Sequence, residues 1–516
     1  MQPFGDGGLT ERPLSRRQFL ARSAALGGAA LVAGPLGAFG GSVGSASERR
    51  RQGPGVVVVG AGLAGLTCAY RLHQHGVAAS VYEARPDRVG GRCWTAREFA
   101  DGQVAEHGGE FIDSDHVRMR ALVRELGLRL EDRVAWAKRR SGRYSRLYLD
   151  GSLRDEDVVF CNYRQLRRRL HAEARRSGYF SDGYANRAAH RFDDTTVSQW
   201  LDRNVPGGGS SFLGQEMRDY MANEFGGDPT QLSATNLFYV LSAPGNNPTT
   251  SDGSDERYHV HGGNDRVPRG IADRLPEGVV RLDTPLEALW RRRNGTYAMR
   301  FRGLRRDVVA SQVVLTAPFT TLRDVDLDRS GLSPIKLECI QKLGMGTNSK
   351  LLMQFTQRPG HFQRWNGELN TDQPPFLDTW DTSLTQPGRD GLITVYSGGA
   401  LGASYPGKQA HGPAPEPVVR DTLASLERVV PGISDDFTGR AWLDHWAADP
   451  WVHGSYAAFL PGQTIRYSGV IARQEGGLHF AGEHTSVAYQ GFLEGAVGSA
   501  ERCTREVLVA LKKQRR

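Results

Sequence analysis

The stretch Val56-Val57-Val58-Val59-Gly60-Ala61-Gly62-Leu63-Ala64-Gly65 decides the fold, together with Ala79-Ser80-Val81-Tyr82-Glu83 and Val89-Gly90-Gly91-Arg92 downstream of it. The four valines read as a buried parallel strand, Leu63 to His75 as a helix, and Ala79 to Tyr82 as a second strand, which makes a βαβ unit. Each glycine of the first motif has a task. Gly60 permits the tight turn, Gly62 lets backbone approach a pyrophosphate, and Gly65 lets the helix pack closely on the strand. The start of the helix then turns its amide groups toward an anion. Glu83 falls about 20 residues beyond the glycines, where a carboxylate accepts hydrogen bonds from a ribose hydroxyl pair. A glycine fingerprint alone is weak evidence; flanked by two strands and an acidic strand end, it predicts a dinucleotide site.

The rest of the composition sets bounds. A chain of 516 residues, 39% hydrophobic and 24% charged, is long enough for two or three domains with full cores. The formal charge of +8 is concentrated partly in Arg164 to Arg176, where helical spacing puts Leu166 and Leu170 on one face. This reads as a solvated basic helix face; without interleaved aromatics or zinc spacing, no nucleic-acid partner is expected. Cys68, Cys93, Cys161, Cys339 and Cys503 are scattered without a CxxC or a Cys/His pair, so neither a metal site nor a disulfide framework is predicted.

At the N-terminus, Ser15-Arg16-Arg17-Gln18-Phe19-Leu20 precedes a glycine- and alanine-rich apolar segment from Ala24 to Phe39, with small residues near Ser45 and Ala46. This resembles a twin-arginine signal peptide. The resemblance implies export of the folded protein by the twin-arginine (Tat) machinery, cleavage near Ala46, and a periplasmic or extracellular location. Residues 1–50 are therefore set aside from the fold.

Four further segments follow in a fixed order: Glu106-His107-Gly108-Gly109-Glu110-Phe111, Tyr258 through Asp265, Leu478 through Thr485, and Gly491-Phe492-Leu493-Glu494-Gly495-Ala496-Val497. With Val89 to Arg92 they resemble the flavin-containing amine oxidases and span most of the chain. The resemblance implies an α/β fold, with a discontinuous Rossmann-like FAD-binding domain and an α+β substrate-binding domain of the amine-oxidase type. It allots 53–125, 255–330 and 465–516 to the first and 126–254 and 331–464 to the second. Val308 to Pro318 is read as one buried strand of the nucleotide domain. The FAD contacts implied are Gly60, Gly62, Gly65, Glu83, Gly91, Arg92, Gly108, Gly109, Leu286, Gly482 and Glu483, with Arg92 neutralising pyrophosphate charge.

The chemistry implied is oxidation of a primary or secondary amine by hydride transfer to flavin, giving an imine and then an aldehyde or ketone, with oxygen reduced to hydrogen peroxide. Lys350, in Thr347-Asn348-Ser349-Lys350-Leu351-Leu352, matches the family lysine that holds a water near the flavin. Phe492 matches an aromatic residue beside the substrate amine. Its partner is Tyr456 when counted from Trp446, and Ser455 when counted back from Pro461-Gly462; the first alignment is preferred. Some relatives bind flavin through a cysteine at this point, but Gly454 and Ser455 form no thioether, so FAD is expected to be noncovalent. Glu110 to Asp115 replaces the arginine expected of an amino-acid oxidase, and Glu110 is expected to favour a cationic amine. Alternatives are an L-amino-acid oxidase with an arginine from elsewhere, or a dehydrogenase passing electrons to a carrier. A homodimer is a candidate assembly.

Overall fold

The computed structural model describes residues 55–139, 144–154, 156–178, 186–242, 254–406, 409–486 and 489–514; the segment whose sequence resembles a twin-arginine signal peptide lies outside them. Four consecutive β-branched residues suit a strand covered on both faces. They form β1 (Val56–Val59), buried throughout. Four more strands join it, namely β2 (Ala79–Tyr82), β3 (Val280–Arg281), β4 (Gln312–Leu315) and β5 (Leu478–Phe480). The order is β5-β4-β1-β2-β3 and every pairing is parallel. Val56 and Val58 enter a core with α1 (Leu63–Gln74) and α2 (Leu493–Gln514). Val57 and Val59 enter the opposite core with Leu289, Met299 and Phe301. Those residues come from an antiparallel meander of Leu286–Arg291, Tyr297–Phe301 and Val308–Ala310, and Phe301 stacks on Tyr82 with ring centroids 4.2 Å apart.

The run Val308 to Pro318 is therefore not one strand. Val308–Ala310 closes the meander, whereas Gln312–Leu315 is β4, beside β1 in the parallel sheet. The chain crosses between sheets at Ser311, a step hidden by apolar residues on both sides of it.

A second sheet of eight strands runs in the order His411–Pro413, Phe437–His445, Ser349–Phe355, Gly391–Ser397, Asp378–Asp381, Trp365–Thr371, Tyr144–Leu149 and Ser152–Leu153. Its pairings are antiparallel apart from that of Trp365–Thr371 with Tyr144–Leu149. All seven residues of Ser349–Phe355 are buried. Helices between 156 and 242 contribute Leu166, Leu170, Phe192, Trp200 and Phe238 to the core that holds Val57, Val59 and Phe301. Val197–Asn204 among them begins with a capping box, in which Thr196 and Gln199 satisfy each other's backbone amides. In the basic helix Glu156–Arg176, Leu166, Leu170 and Ala174 are buried while Arg168, Arg169, Arg175 and Arg176 are exposed, the division that the helical spacing predicts.

The turn after β1 has a steric requirement for glycine at some positions and not at others. A Cβ on Gly65 would lie 1.9 Å from the carbonyl oxygen of Gly60, whose own φ is +102°. A Cβ on Gly62 would meet no protein atom within 4 Å. Gly65→Ala thus forces backbone apart, and a loss of about 1–3 kcal/mol is expected by chemical denaturation. Gly62→Ala is expected to leave that stability unchanged and to weaken flavin retention, read from the absorbance kept through gel filtration.

Candidate active site

A cavity of about 1170 Å³ extends from the turn after β1 into the space beneath the eight-stranded sheet. Gly60, Gly62, Glu83, Gly91, Arg92, Gly108, Gly109, Leu286, Gly482 and Glu483 border it, as do Lys350, Tyr456, Phe492 and Glu110. Gly65 alone of the expected site residues does not; it stands behind the wall, holding α1 against the turn. Glu83 ends β2 with one carboxylate oxygen accepting from the Ala61 amide at 2.6 Å and the other from the Arg85 amide at 2.9 Å. Burial raises this carboxyl above its ordinary range, against the pull of those amides. Arg92 donates to the Glu483 carboxylate at 2.8 Å and to the Ser455 carbonyl at 2.7 Å. Glu483 also accepts from the Gly491 amide at 2.7 Å, beside the start of α2. Burial would raise the Glu483 carboxyl, but Arg92 and its other donors outweigh that and hold it low. The arginine is thus oriented from behind and still borders the cavity.

Lys350 projects from the buried strand Ser349–Phe355 to the loop Glu106–Glu110. Its ammonium donates to the Glu106 carbonyl at 3.1 Å, the Gly108 carbonyl at 2.9 Å and the Glu110 carboxylate at 2.9 Å. The second Glu110 oxygen accepts from the Trp380 indole at 2.9 Å. Burial would raise the Glu110 carboxyl, yet Lys350 and Arg133 bring it below its ordinary range. The sequence places Glu110 against a substrate amine; in the structure its oxygens are turned to Lys350 and Trp380. The resemblance gives Lys350 a water to hold, whereas its three donors already meet three protein acceptors. Asn264 fixes the loop by donating to the Gly109 and Glu110 carbonyls at 3.0 and 2.7 Å. The Glu106 carboxylate beneath accepts from the Asn264 amide at 2.8 Å, from Thr95 at 2.9 Å, and lies 2.8 Å from His259 Nε2.

Beyond Lys350 the walls are aromatic and acidic. Phe111, Trp380, Tyr396, Tyr456 and Phe492 border the cavity. The Tyr456 hydroxyl donates to the Glu224 carbonyl at 2.8 Å and lies 3.1 Å from that of Tyr396. Ser455, the alternative position, turns its hydroxyl to Asn348 Oδ1 at 2.6 Å. The carboxylates bordering this half are Glu110, Glu216, Asp219, Glu224, Asp255, Glu256, Glu368 and Asp378, against the cations Arg133 and Lys350 among the described residues. Burial, and then repulsion from Glu368, pushes Asp378 up to about 8. Burial, and then repulsion from Asp372, pushes Asp219 up to about 7. Glu256, inside the protein but facing the cavity, is raised by burial and by Asp113, Glu224 and Asp378.

Residues 63–508 match the family model of the flavin-containing amine oxidoreductases. The chain belongs to this family. It is 24% identical to a pseudooxynicotine dehydrogenase of a Pseudomonas species over 98% of each chain, and 25% identical to an L-amino-acid oxidase of Siganus canaliculatus over 88% of this chain and 85% of that protein. A putrescine oxidase bound to putrescine superposes with a TM-score of 0.74 at 20% identity, covering 88% of this chain and 98% of the other.

A flavin amine oxidoreductase of this family uses FAD, and the cavity fits it. The missing Cβ of Gly62 leaves open space, Arg92 offers a buttressed cation for the pyrophosphate, and Glu83 stands where the adenosine ribose is read. When bound, FAD would supply the two-electron acceptor for oxidation of the C–H bond beside the amine nitrogen. Gly454 and Ser455 provide no sulfur, in keeping with noncovalent binding. Cys68, Cys93, Cys339 and Cys503 are buried free thiols. Cys93 borders the cavity, but its thiol donates to the Asn264 carbonyl at 3.4 Å and burial raises it well above the ordinary range.

Sequence reasoning missed Trp380, Arg133, Glu224, Glu256 and Asp378, which reach the cavity from separate segments with no spacing signature. It also missed a buried relay in which His411 stands 2.7 Å from Asp444 and 2.8 Å from Asp449, with His107 on Asp444 at 2.9 Å and Arg85 on Asp449. His259 lies between the Glu106 and Glu131 carboxylates. Burial would lower its pKa, but the carboxylates of Glu106 and Glu131 raise it to about 9 from an ordinary 6.5. A raised folded value stabilises fully below the unfolded pKa, and the contribution fades as pH rises through about 9. His259→Gln is expected to shrink the fall in melting temperature between about pH 7 and about pH 9.5, measured by differential scanning fluorimetry at both pH values.

Proposed function

We propose that this amine oxidase acts on amines bearing a second positive charge, such as aliphatic diamines and polyamines. The observation that carries the reading is the excess of carboxylates in the substrate half, where the Lys350 charge is already balanced by Glu110. For the carboxyl groups with raised pKa values, burial and like charges outweigh the nearby cations, Arg218 at Asp219 and Arg133 at Glu256, and a distal ammonium would supply a further counter-charge while releasing protons. At the reacting end, Tyr456 and Phe492 give aromatic walls that favour the neutral amine required for oxidation. In this reading Lys350 is the catalytic lysine, and the FAD contacts are those named from the sequence. The putrescine oxidase likeness is consistent with a diamine, although at 20% identity it speaks for the fold.

A second reading rests on Arg133, the guanidinium among the described residues of the substrate half. It donates to the Asp381 carbonyl at 3.1 Å and lies 4.9 Å from the Phe111 ring. An amino-acid oxidase would use it to clamp a carboxylate. The surrounding carboxylates oppose that anion, which favours the amine. Supported by the leader Ser15 to Phe39, we further propose export through the twin-arginine pathway to the periplasm or beyond, after FAD loading. The division at 53–125, 255–330 and 465–516 for the flavin domain, and a homodimeric assembly, complete the proposal.

The deciding experiment is anaerobic mixing of the FAD-loaded enzyme with a diamine, a monoamine of equal length and L-amino acids, following flavin bleaching. The diamine is expected to bind at least about ten-fold more tightly than the monoamine, a difference near 1.4 kcal/mol. Glu256→Gln and Asp378→Asn should erase that preference while sparing the monoamine. Diamine binding to wild type should tighten from about pH 6 to about pH 8.5 as the carboxyl groups ionise, and less so in Asp378→Asn. Preference for an L-amino acid, lost in Arg133→Met, would overturn the proposal. Admitting oxygen then separates an oxidase from a dehydrogenase by the peroxide formed.

A further inference from the structure

Lys350 and Glu110 form a buried ion pair whose side chains are 7% and 4% exposed. An ammonium has three donor protons. Here all three have acceptors, at 3.1, 2.9 and 2.9 Å, two of them backbone carbonyls that cannot donate in return. A neutral amine would leave one of those three acceptors facing a lone pair. The Glu110 carboxylate is held in turn by the Trp380 indole, and its backbone carbonyl by Asn264. Each partner is thus fixed from a different element.

We propose that Glu110 is a positioning residue that locks Lys350 as a fixed ammonium, so that Lys350 serves amine oxidation as a permanent positive charge and exchanges no proton during turnover. Charge buried without its partner is costly, and the carboxylate is what removes that cost. The inference rests on flavin binding and is independent of which amine is oxidised. It also assigns Glu110 away from direct substrate contact.

The other charged and titratable groups around the pair are Arg133 from the helix Arg133–Lys138, His259 from the strand Tyr258–Val260, and the Glu106 carboxylate between His259 and Thr95. Tyr396 and Asp444 stand opposite Lys350 in the two neighbouring strands. Asp444 is engaged by His107 and His411, and burial keeps Tyr396 protonated. His259 at about 9, and the cavity carboxyls Asp378 at about 8 and Asp219 at about 7, titrate within the range of such an experiment, so the lysine must be identified by deletion.

The FAD-loaded enzyme is titrated from about pH 6 to about pH 9.5 while the visible flavin spectrum is recorded, and anaerobic reduction by a saturating amine is timed at each pH. Wild type and Glu110→Asp are expected to show no spectral step that depends on Lys350. Glu110→Gln should acquire one, because burial without the carboxylate disfavours the charged form. The step should vanish in Glu110→Gln/Lys350→Met, and across it the reduction rate should change about ten-fold. A His259 step would survive lysine deletion and so be told apart. A Glu110→Gln spectrum without a lysine-dependent step, that is, one present in Glu110→Gln and absent from Glu110→Gln/Lys350→Met, would overturn the proposal. So would a Glu110→Gln effect confined to amine affinity, which would mark direct substrate binding. If Glu110→Gln fails to retain flavin, the wild type decides against Lys350→Met alone: a spectral step present only in the wild type means that the lysine exchanges protons, contrary to the proposal, and identical profiles support the lock.

Discussion

The contact on which this architecture depends is the Lys350 ammonium with its three acceptors. The lysine belongs to the eight-stranded sheet, and its partners Glu106, Gly108 and Glu110 belong to the segment that follows β2 of the parallel sheet. A buried charge is tolerated only when paired and hydrogen-bonded. Shifting either sheet would leave the ammonium, the carboxylate or two carbonyls unsatisfied. The loop between them is pinned further by Asn264 to the Gly109 and Glu110 carbonyls, and by the Trp446 indole to the His107 carbonyl at 2.8 Å. Two sheets that read as separate units along the chain thereby close on one cavity, with nucleotide-binding backbone on one side and the substrate walls on the other.

The nucleotide half was legible in the sequence because its requirements are local. A turn that needs Gly60, a helix approach that needs Gly65 and a carboxylate at the end of the next strand follow from spacing within one βαβ unit, and β1, α1 and β2 form where the pattern puts them. Val308 to Pro318 defeated the same reasoning because two short strands in different sheets are joined with a single residue between them, and a continuous apolar run carries no mark of the crossing. The motif resemblance brought Lys350, Tyr456 and Phe492 to one cavity although they lie far apart in the chain.

What the sequence left unread is the chemistry of the substrate half. Glu224, Glu256 and Asp378 lie on a helix, in the loop before a strand and on a strand, and their convergence is a property of the tertiary fold alone. The acidic run beginning at Glu110 led to the expectation of a cationic amine, yet Glu110 itself is turned to Lys350. The electrostatic bias comes from residues that no local pattern connects.

In the proposed reading, the acidic end of the cavity holds the distal charge of a cationic amine while the aromatic end receives the amine to be oxidised. A crystal structure of the anaerobic, FAD-loaded enzyme with a short aliphatic diamine tests it most directly. One nitrogen is expected within hydrogen-bond distance of Glu256, Asp378 or Glu224, and the other between Tyr456 and Phe492. A diamine bound with those carboxylates untouched, or with its distal nitrogen directed to solvent, would contradict it.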